Sequence, residues 1–173
     1  GTPEGITPGD SVVALQAAQT VGAGDALLGR CINGLGIPID GKGPIHGTTP
    51  REINAQPIGP LERRRIKEAM YTGVRAIDLF TTLGKGQRMG VFAGPGVGKS
   101  TLLGSIARNA TSDVNVIALI GERGREVRDF IEHNLGPQGL ARSVVVVATS
   151  DESPLLRVRA ALKAAADDAH ALA

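Results

Sequence analysis

Tryptophan is absent, and aromatic residues make up 2% of the 173 residues. The four rings are Tyr71, Phe80, Phe92 and Phe130. A stacking platform for single-stranded nucleic acid is hard to build from so few. An excess of one charge is also missing. There are 19 Lys and Arg against 17 Asp and Glu, a net +2. That balance gives no basic field that would attract nucleic acid. Cys31 is the single cysteine, which excludes an internal disulfide framework and fits a reducing compartment. No apolar run approaches the roughly 18 residues of a membrane span. The longest covers residues 144–148. No secretory pattern opens at Gly1.

Glycine, by contrast, is plentiful. There are 24 among 173 residues, about twice the usual share. They cluster in short motifs without a fixed period, so they mark turns and close backbone approaches. Length alone predicts one domain, or one with a piece of another, and room for a sizeable core. The first residue is Gly, and residues 160–173 read as helix with no stop signal, so the chain reads as a fragment of a longer protein.

Residues 1 to about 60 carry short apolar runs at 11–15 and 27–32, separated by turn chemistry such as Pro8-Gly9-Asp10 and Asn33-Gly34. A few short strands and a long connection are expected there. From about residue 70 the pattern alternates. Residues 88–93 (RMGVFA), 114–120 (including VNVIALI) and 143–149 (SVVVVAT) read as strands. Residues 99–110 place Leu102, Leu103, Ile106 and Ala110 on one helical face. Residues 126–135 place Val127, Phe130, Ile131 and Leu135 at helical spacing, with Gly136-Pro137 as the stop. Ser153-Pro154 starts a last helix, with Leu155, Val158, Leu162 and Ala165 as its apolar stripe. This β-α-β-α-β-α order predicts a parallel sheet covered on both faces. Ligands of such sheets bind at the carboxyl ends of the strands.

At the first of those ends stands Ala93-Gly94-Pro95-Gly96-Val97-Gly98-Lys99-Ser100, followed by Thr101. It fits the phosphate-loop pattern G-x-x-x-x-G-K-[ST] except that Ala93 replaces the first glycine. Glycines let successive N–H groups turn toward phosphate oxygens, and the next helix adds its dipole. Gly94, Pro95, Gly96, Val97, Gly98, Lys99, Ser100 and Thr101 are therefore the candidate nucleotide-binding residues. Pro95 has no N–H and contributes rigidity without a donor. Lys99 would reach the β- and γ-phosphates, and the Ser100 hydroxyl would ligate Mg²⁺. ATP and Mg²⁺ are the expected ligands.

A second motif, Gly121-Glu122-Arg123-Gly124-Arg125-Glu126, follows the strand at 114–120. A carboxylate there could orient water against a γ-phosphate. Equally, the stretch could be a charged loop capping the next helix through Glu126. Spacing alone leaves both readings open. His46, His133 and His170 lack metal-ligand spacing among themselves and with Cys31, and read as ordinary side chains. The charged run Glu62-Arg63-Arg64-Arg65-Ile66-Lys67 reads as a solvated or subunit-facing segment.

Further stretches carry a resemblance: 28–41 (LGRCINGLGIPIDG), 60–66 (PLERRRI), 72–78 (TGVRAID), 84–90 (GKGQRMG), 120–127 (IGERGREV) and 130–133 (FIEH). With the phosphate loop in its Ala93 form, the chain resembles the flagellum-specific and type III secretion export ATPases, relatives of the catalytic subunit of rotary ATP synthases. The resemblance runs almost from end to end. It implies a RecA-like α/β core with a parallel sheet, incomplete here and preceded by remnant strands of an N-terminal β-barrel. Residues 1–25 would end the barrel, and residues 26–173 would form the first part of the nucleotide-binding domain. By matching position, Glu122 would polarise the attacking water, and Arg123 would be an active-site arginine. Lys99 would complete the catalytic set. The family's Mg²⁺-binding aspartate, adenine pocket and arginine finger are expected beyond Ala173.

The same resemblance implies ATP hydrolysis that drives protein export, in a cytoplasmic homo-oligomer, usually a hexameric ring. That ring would meet export-apparatus proteins and their substrates at the inner face of the bacterial plasma membrane, reaching the membrane only through partners and binding no nucleic acid. The isolated chain would bind nucleotide weakly and hydrolyse little. A proton-translocating rotary catalytic subunit shares the active site and is the alternative. A non-catalytic nucleotide-binding subunit is a further alternative, against which Glu122 argues. An RNA-translocating ring would need an RNA-binding domain before the loop, and the charge balance and few aromatics disfavour it.

Overall fold

A computed structural model describes residues 7, 9–11, 13, 19–54, 59, 61–63, 65–94 and 96–171. Pro95, residues 1–6 and most of the apolar run at 11–15 therefore lie outside the described residues. The elements in order are β1 (Thr20–Ala23), β2 (Arg30–Asn33), β3 (Thr49–Glu52), β4 (Ala69–Met70), α1 (Arg75–Phe80), β5 (Leu83–Gly84), α2 (Lys99–Asn109), β6 (Asn115–Ile120), α3 (Gly124–Asp129), α4 (Gly136–Ala141), β7 (Ser143–Ala148) and α5 (Pro154–Ala171).

The central sheet has the order β2-β7-β6, with both pairings parallel. All six residues of β7 are buried. Strict alternation of Val144, Val145, Val146 and Val147 sends two side chains to each face. On one face Val145 and Val147 pack with Cys31, Ala107, Val127, Phe130 and Leu135. On the other, Val144 and Val146 pack with Leu27, Ile32, Ala148 and Ala160. A continuous valine run thus becomes a strand covered on both sides, as the sequence predicts. The strand β2 joins the sheet from more than a hundred residues away, pairing Arg30 to Asn33 with Val144 to Val147. Its end lies tight against α5: a Cβ at Gly34 would sit 2.8 Å from the Leu156 carbonyl oxygen.

Three sequence expectations are corrected. Residues 88–93 are not a strand. They are exposed apart from Val91, and Phe92 is 97% exposed. A strand needs a partner for its N–H and C=O groups, and none is present for this segment among the described residues. Within the same set, β6 pairs on one side only, with β7. The helix expected at 126–135 is broken into α3 and a wider π-type turn at Phe130–Leu135. Gly136-Pro137 then opens α4 rather than ending helical structure, because Gly136 at φ 67° redirects the chain and Pro137 suits a first helical turn.

The third correction concerns α5. It begins at Ser153-Pro154 as expected, and the Leu156 N–H donates to Ser153 Oγ at 3.4 Å. The stripe of Leu155, Val158, Leu162 and Ala165 nevertheless faces outward, with Leu155 78% exposed. The inward face carries Ala160, Lys163, Ala166 and Asp167. Small alanines let the helix approach the sheet and β1 closely. Lys163 is fully buried. Its Nζ donates to Asp167 Oδ2 at 2.6 Å and to the Gly22 carbonyl of β1 at 3.0 Å. This contact, with the small cluster of Val21, Ile53 and Ala166, fastens the antiparallel β1–β3 pair to α5.

A second anchor holds the loop after β2. Arg30 forks onto Asp40 through Nε at 2.7 Å and Nη2 at 3.0 Å. The same carboxylate accepts the N–H groups of Cys31 and Lys42. The guanidinium, helped by these N–H groups, holds the Asp40 carboxyl well below the usual carboxylate range.

Replacing Lys163 with Met removes one half of a buried ion pair, so stability is expected to fall by about 3–5 kcal/mol. Adding Asp167→Leu should return most of that loss. Denaturant unfolding of the two variants checks both values.

Candidate functional site

The chemistry-bearing motifs meet at the carboxyl end of the sheet. The α2 helix starts at Lys99, directly after Gly98, whose left-handed backbone (φ 95°, ψ 15°) turns the chain into the helix. Gly96 is likewise at φ 76°. No acidic residue stands in the first turn of α2 and no side chain caps it. Its leading N–H groups are therefore left for an anion, with the helix dipole behind them.

The position of Glu122 is set from the sheet. After β6 the chain turns at Gly121 (φ 76°), whose N–H donates to the Ala148 carbonyl at 2.7 Å. The Ser150 N–H donates to the Glu122 carbonyl at 3.0 Å. The end of β7 thus holds the glutamate backbone on both sides. Its Oε1 lies 3.7 Å from Lys99 Nζ, with both side chains about 40% exposed. At that distance the two groups form a loose, half-exposed ion pair, which a ligand oxygen or a water must part to enter.

A cavity of about 800 Å³ opens here, lined by Gly94, Gly96, Gly98, Lys99, Ser100, Thr101, Glu122, Arg125, Glu126, Asp129 and Asn134. The structure thus brings together seven of the predicted site residues. Two others stand apart from the lining. Val97 is 68% exposed, and Arg123 points to Glu126, with Nη1 3.6 Å from Oε1. Arg125, Glu126, Asp129 and Asn134 are additions. Arg125, Glu126 and Asp129 share one face of α3, a relation that becomes legible once that helix is known to begin at Gly124. Beside the cavity runs an apolar groove of about 430 Å³, between α2 and the unpaired edge of β6, lined by Leu103, Ile106, Val116, Leu119 and Phe130 among others.

No group of three His, Cys, Asp or Glu among the described residues could hold a metal ion. His133 pairs with Asp129 at 3.0 Å. Cys31 is buried under the sheet, and burial pushes its thiol up. The run at 62–67 is exposed wherever it is described.

A parallel α/β sheet with a glycine loop, a helix start and a carboxylate at one end has the layout of a nucleotide-binding domain. Comparison with known proteins makes this specific. Residues 73–169 match the model of the ATP synthase alpha/beta family, nucleotide-binding domain, and the chain belongs to that family. The resemblance to export ATPases also holds. The chain is 57% identical over 162 residues to the flagellum-specific ATP synthase of Treponema pallidum, covering 94% of this chain and 36% of that protein. It is 56% identical over 157 residues to the type 3 secretion system ATPase of Xanthomonas euvesicatoria, covering 91% of this chain and 36% of that one. The structure of the assembled ATPase EscN with its central stalk EscO, from the type III secretion system of enteropathogenic E. coli, superposes with a TM-score of 0.81 at 46% identity. It covers 87% of this chain and 37% of that one. The chain thus spans about a third of the length of the curated relatives it matches.

A methyl group at Gly121 forces a left-handed backbone on a side chain that resists it, at about 1–2 kcal/mol. Gly121→Ala is therefore expected to lower Tm by about 2–8 °C in a thermal melt.

Proposed function

We propose that the protein carrying this chain hydrolyses ATP and uses the energy to drive protein export through a flagellar or type III secretion apparatus. The observation that carries this reading is the single cavity that gathers the phosphate loop, the start of α2 and Glu122, with Glu122 3.7 Å from Lys99. The printed names of the relatives, flagellum-specific ATP synthase and type 3 secretion system ATPase, supply the transport context.

In this reading the N–H groups of Gly94, Gly96, Val97 and Gly98 and of the first turn of α2 bind the phosphates. Lys99 neutralises the β- and γ-phosphate oxygens. The Ser100 hydroxyl would hold Mg²⁺, and Glu126 and Asp129, in the same cavity, would supply further hard oxygens toward it. The ion, when bound, offsets the charge that develops on the phosphates. Glu122 accepts a hydrogen bond from the attacking water and aligns it with the γ-phosphate, and the water's proton passes toward the carboxylate as the bond forms. Arg123 acts from the rim, where it is held by Glu126. The working state is an assembly of identical subunits, a reading that the assembled EscN structure supports, and in this proposal it is a ring on the cytoplasmic face of the membrane. Among the described residues no helix is long and apolar enough to cross a membrane.

Glu122→Gln in the full-length protein tests the reading. Hydrolysis is expected to fall by about 10²–10⁴-fold while ATP is still bound. Hydrolysis at the unaltered rate would overturn it. The isolated 173-residue chain should bind ATP more weakly than the full-length protein, because the segment at 88–94 that leads into the site has no strand partner among the described residues, so less of the site is pre-organised. Titration of both proteins with a fluorescent ATP analogue measures that difference.

A further inference from the structure

Arg125 is a residue to which neither the motif nor the resemblance gives a role. It lines the phosphate-loop cavity, where the only other cation is Lys99. Its surroundings are unusual in one respect: the neighbouring charged groups are already engaged. Lys99 faces Glu122 at 3.7 Å, Arg123 faces Glu126 at 3.6 Å, Arg128 meets Glu132 at 2.7 Å and Asp129 meets His133 at 3.0 Å. Arg125 makes no hydrogen bond or ion pair with any described residue. Of the three arginines at 123, 125 and 128, it is the one that lines the cavity, and it is the one without a carboxylate.

A guanidinium left free at the wall of an anion cavity has the chemistry to meet a phosphate. Its planar fork can donate two parallel hydrogen bonds to phosphate oxygens, which an ammonium cannot. Its place along the phosphate chain follows from the topology. The glycine loop and the start of α2 wrap the inner phosphates from one side. Arg125 lines the same cavity from the first turn of α3, three residues after Glu122, and so from a different element than the glycine loop. The group that it meets is therefore the outermost phosphate, beside the position of the attacking water.

We infer that Arg125 is a ligand of the terminal phosphate and makes the site discriminate triphosphate from diphosphate. This rests on the nucleotide reading proposed above. It does not replace Lys99, which serves the inner junction of the phosphate chain. On hydrolysis the bond between the β-γ bridging oxygen and the γ-phosphorus breaks, and a new bond forms from water oxygen to that phosphorus. Arg125 then holds inorganic phosphate rather than the diphosphate.

The test measures equilibrium binding of ADP and of the slowly hydrolysed analogue adenylyl imidodiphosphate, both with Mg²⁺, to the full-length protein. The variants are Arg125→Ala, Arg125→Lys and, as a control, Lys99→Ala. Losing a charge-assisted pair of hydrogen bonds should weaken triphosphate binding by about tenfold or more, with ADP changed by less than about threefold. Arg125→Lys should recover part of the loss. The exposed position makes a folding defect unexpected, and a thermal melt with sedimentation of each variant checks this. Undiminished triphosphate binding by Arg125→Ala, where Lys99→Ala abolishes it, overturns this inference and leaves the nucleotide reading standing. Equal losses for the two nucleotides, or a loss that follows a change in oligomeric state, also overturn it. If the unaltered protein binds neither nucleotide, or Lys99→Ala leaves both unchanged, the nucleotide reading fails and Arg125 loses its role with it.

Discussion

The buried strand β7 is the constraint on which the rest depends. Among the described strands it alone has a partner on each side, and its four valines divide between the two apolar clusters. Full burial of one such side chain contributes about 1.5–3 kcal/mol. The strand therefore supplies a large share of the driving force for a chain with few aromatic rings. Its influence also reaches the chemistry. The Ala148 carbonyl takes the Gly121 N–H, and the Ser150 N–H reaches the Glu122 carbonyl. A core strand thus fixes the backbone of the proposed catalytic carboxylate with two hydrogen bonds.

Lys99 is positioned by a separate packing contact. The α2 helix lies against the π-type turn so closely that a Cβ at Gly104 would sit 2.6 Å from the Asn134 carbonyl oxygen. No side chain fits there without moving the helix. The same turn presents Asn134 to the phosphate cavity. The gap of 3.7 Å between Lys99 and Glu122 therefore depends on two rigid contacts, one through the sheet and one through Gly104. The cation and the carboxylate are thus held side by side as a loose ion pair, the arrangement from which the proposed roles of both start.

The parts legible in the sequence were those encoded locally. The glycine loop, the G-K-S start of a helix and the G-E-R motif each need only neighbours in sequence, and the valine run announces its own burial. What escaped was set by distant partners. Residues 88–93 have the composition of a strand, yet strand formation depends on hydrogen-bond partners elsewhere in the molecule. β2 was invisible as a sheet member because its four residues pair with a segment more than a hundred positions away. The inversion of α5 has a different cause. Its more apolar face is the exposed one, and the buried face is closed by an ion pair and small alanines, which a count of apolar residues reads as the wet side. The arginines of the G-E-R motif were separable only in three dimensions, because their partners on α3 decide which of them is free.

Charge explains why that freedom matters. The cavity wall carries three carboxylates, Glu122, Glu126 and Asp129, against two cations, Lys99 and Arg125. A bare triphosphate entering such a site meets net repulsion, and helix N–H groups offset only part of it. The wall is better matched to a triphosphate that arrives with a divalent ion, whose water shell the carboxylates can accept. In that arrangement the acidic side of the cavity serves the ion and the water, and the basic side serves the phosphates. Arg125 lies on the border between the two. Among the described residues that line the cavity it is the cation that no carboxylate has claimed, so its charge is left for an anionic ligand, as the inferred contact with the terminal phosphate requires.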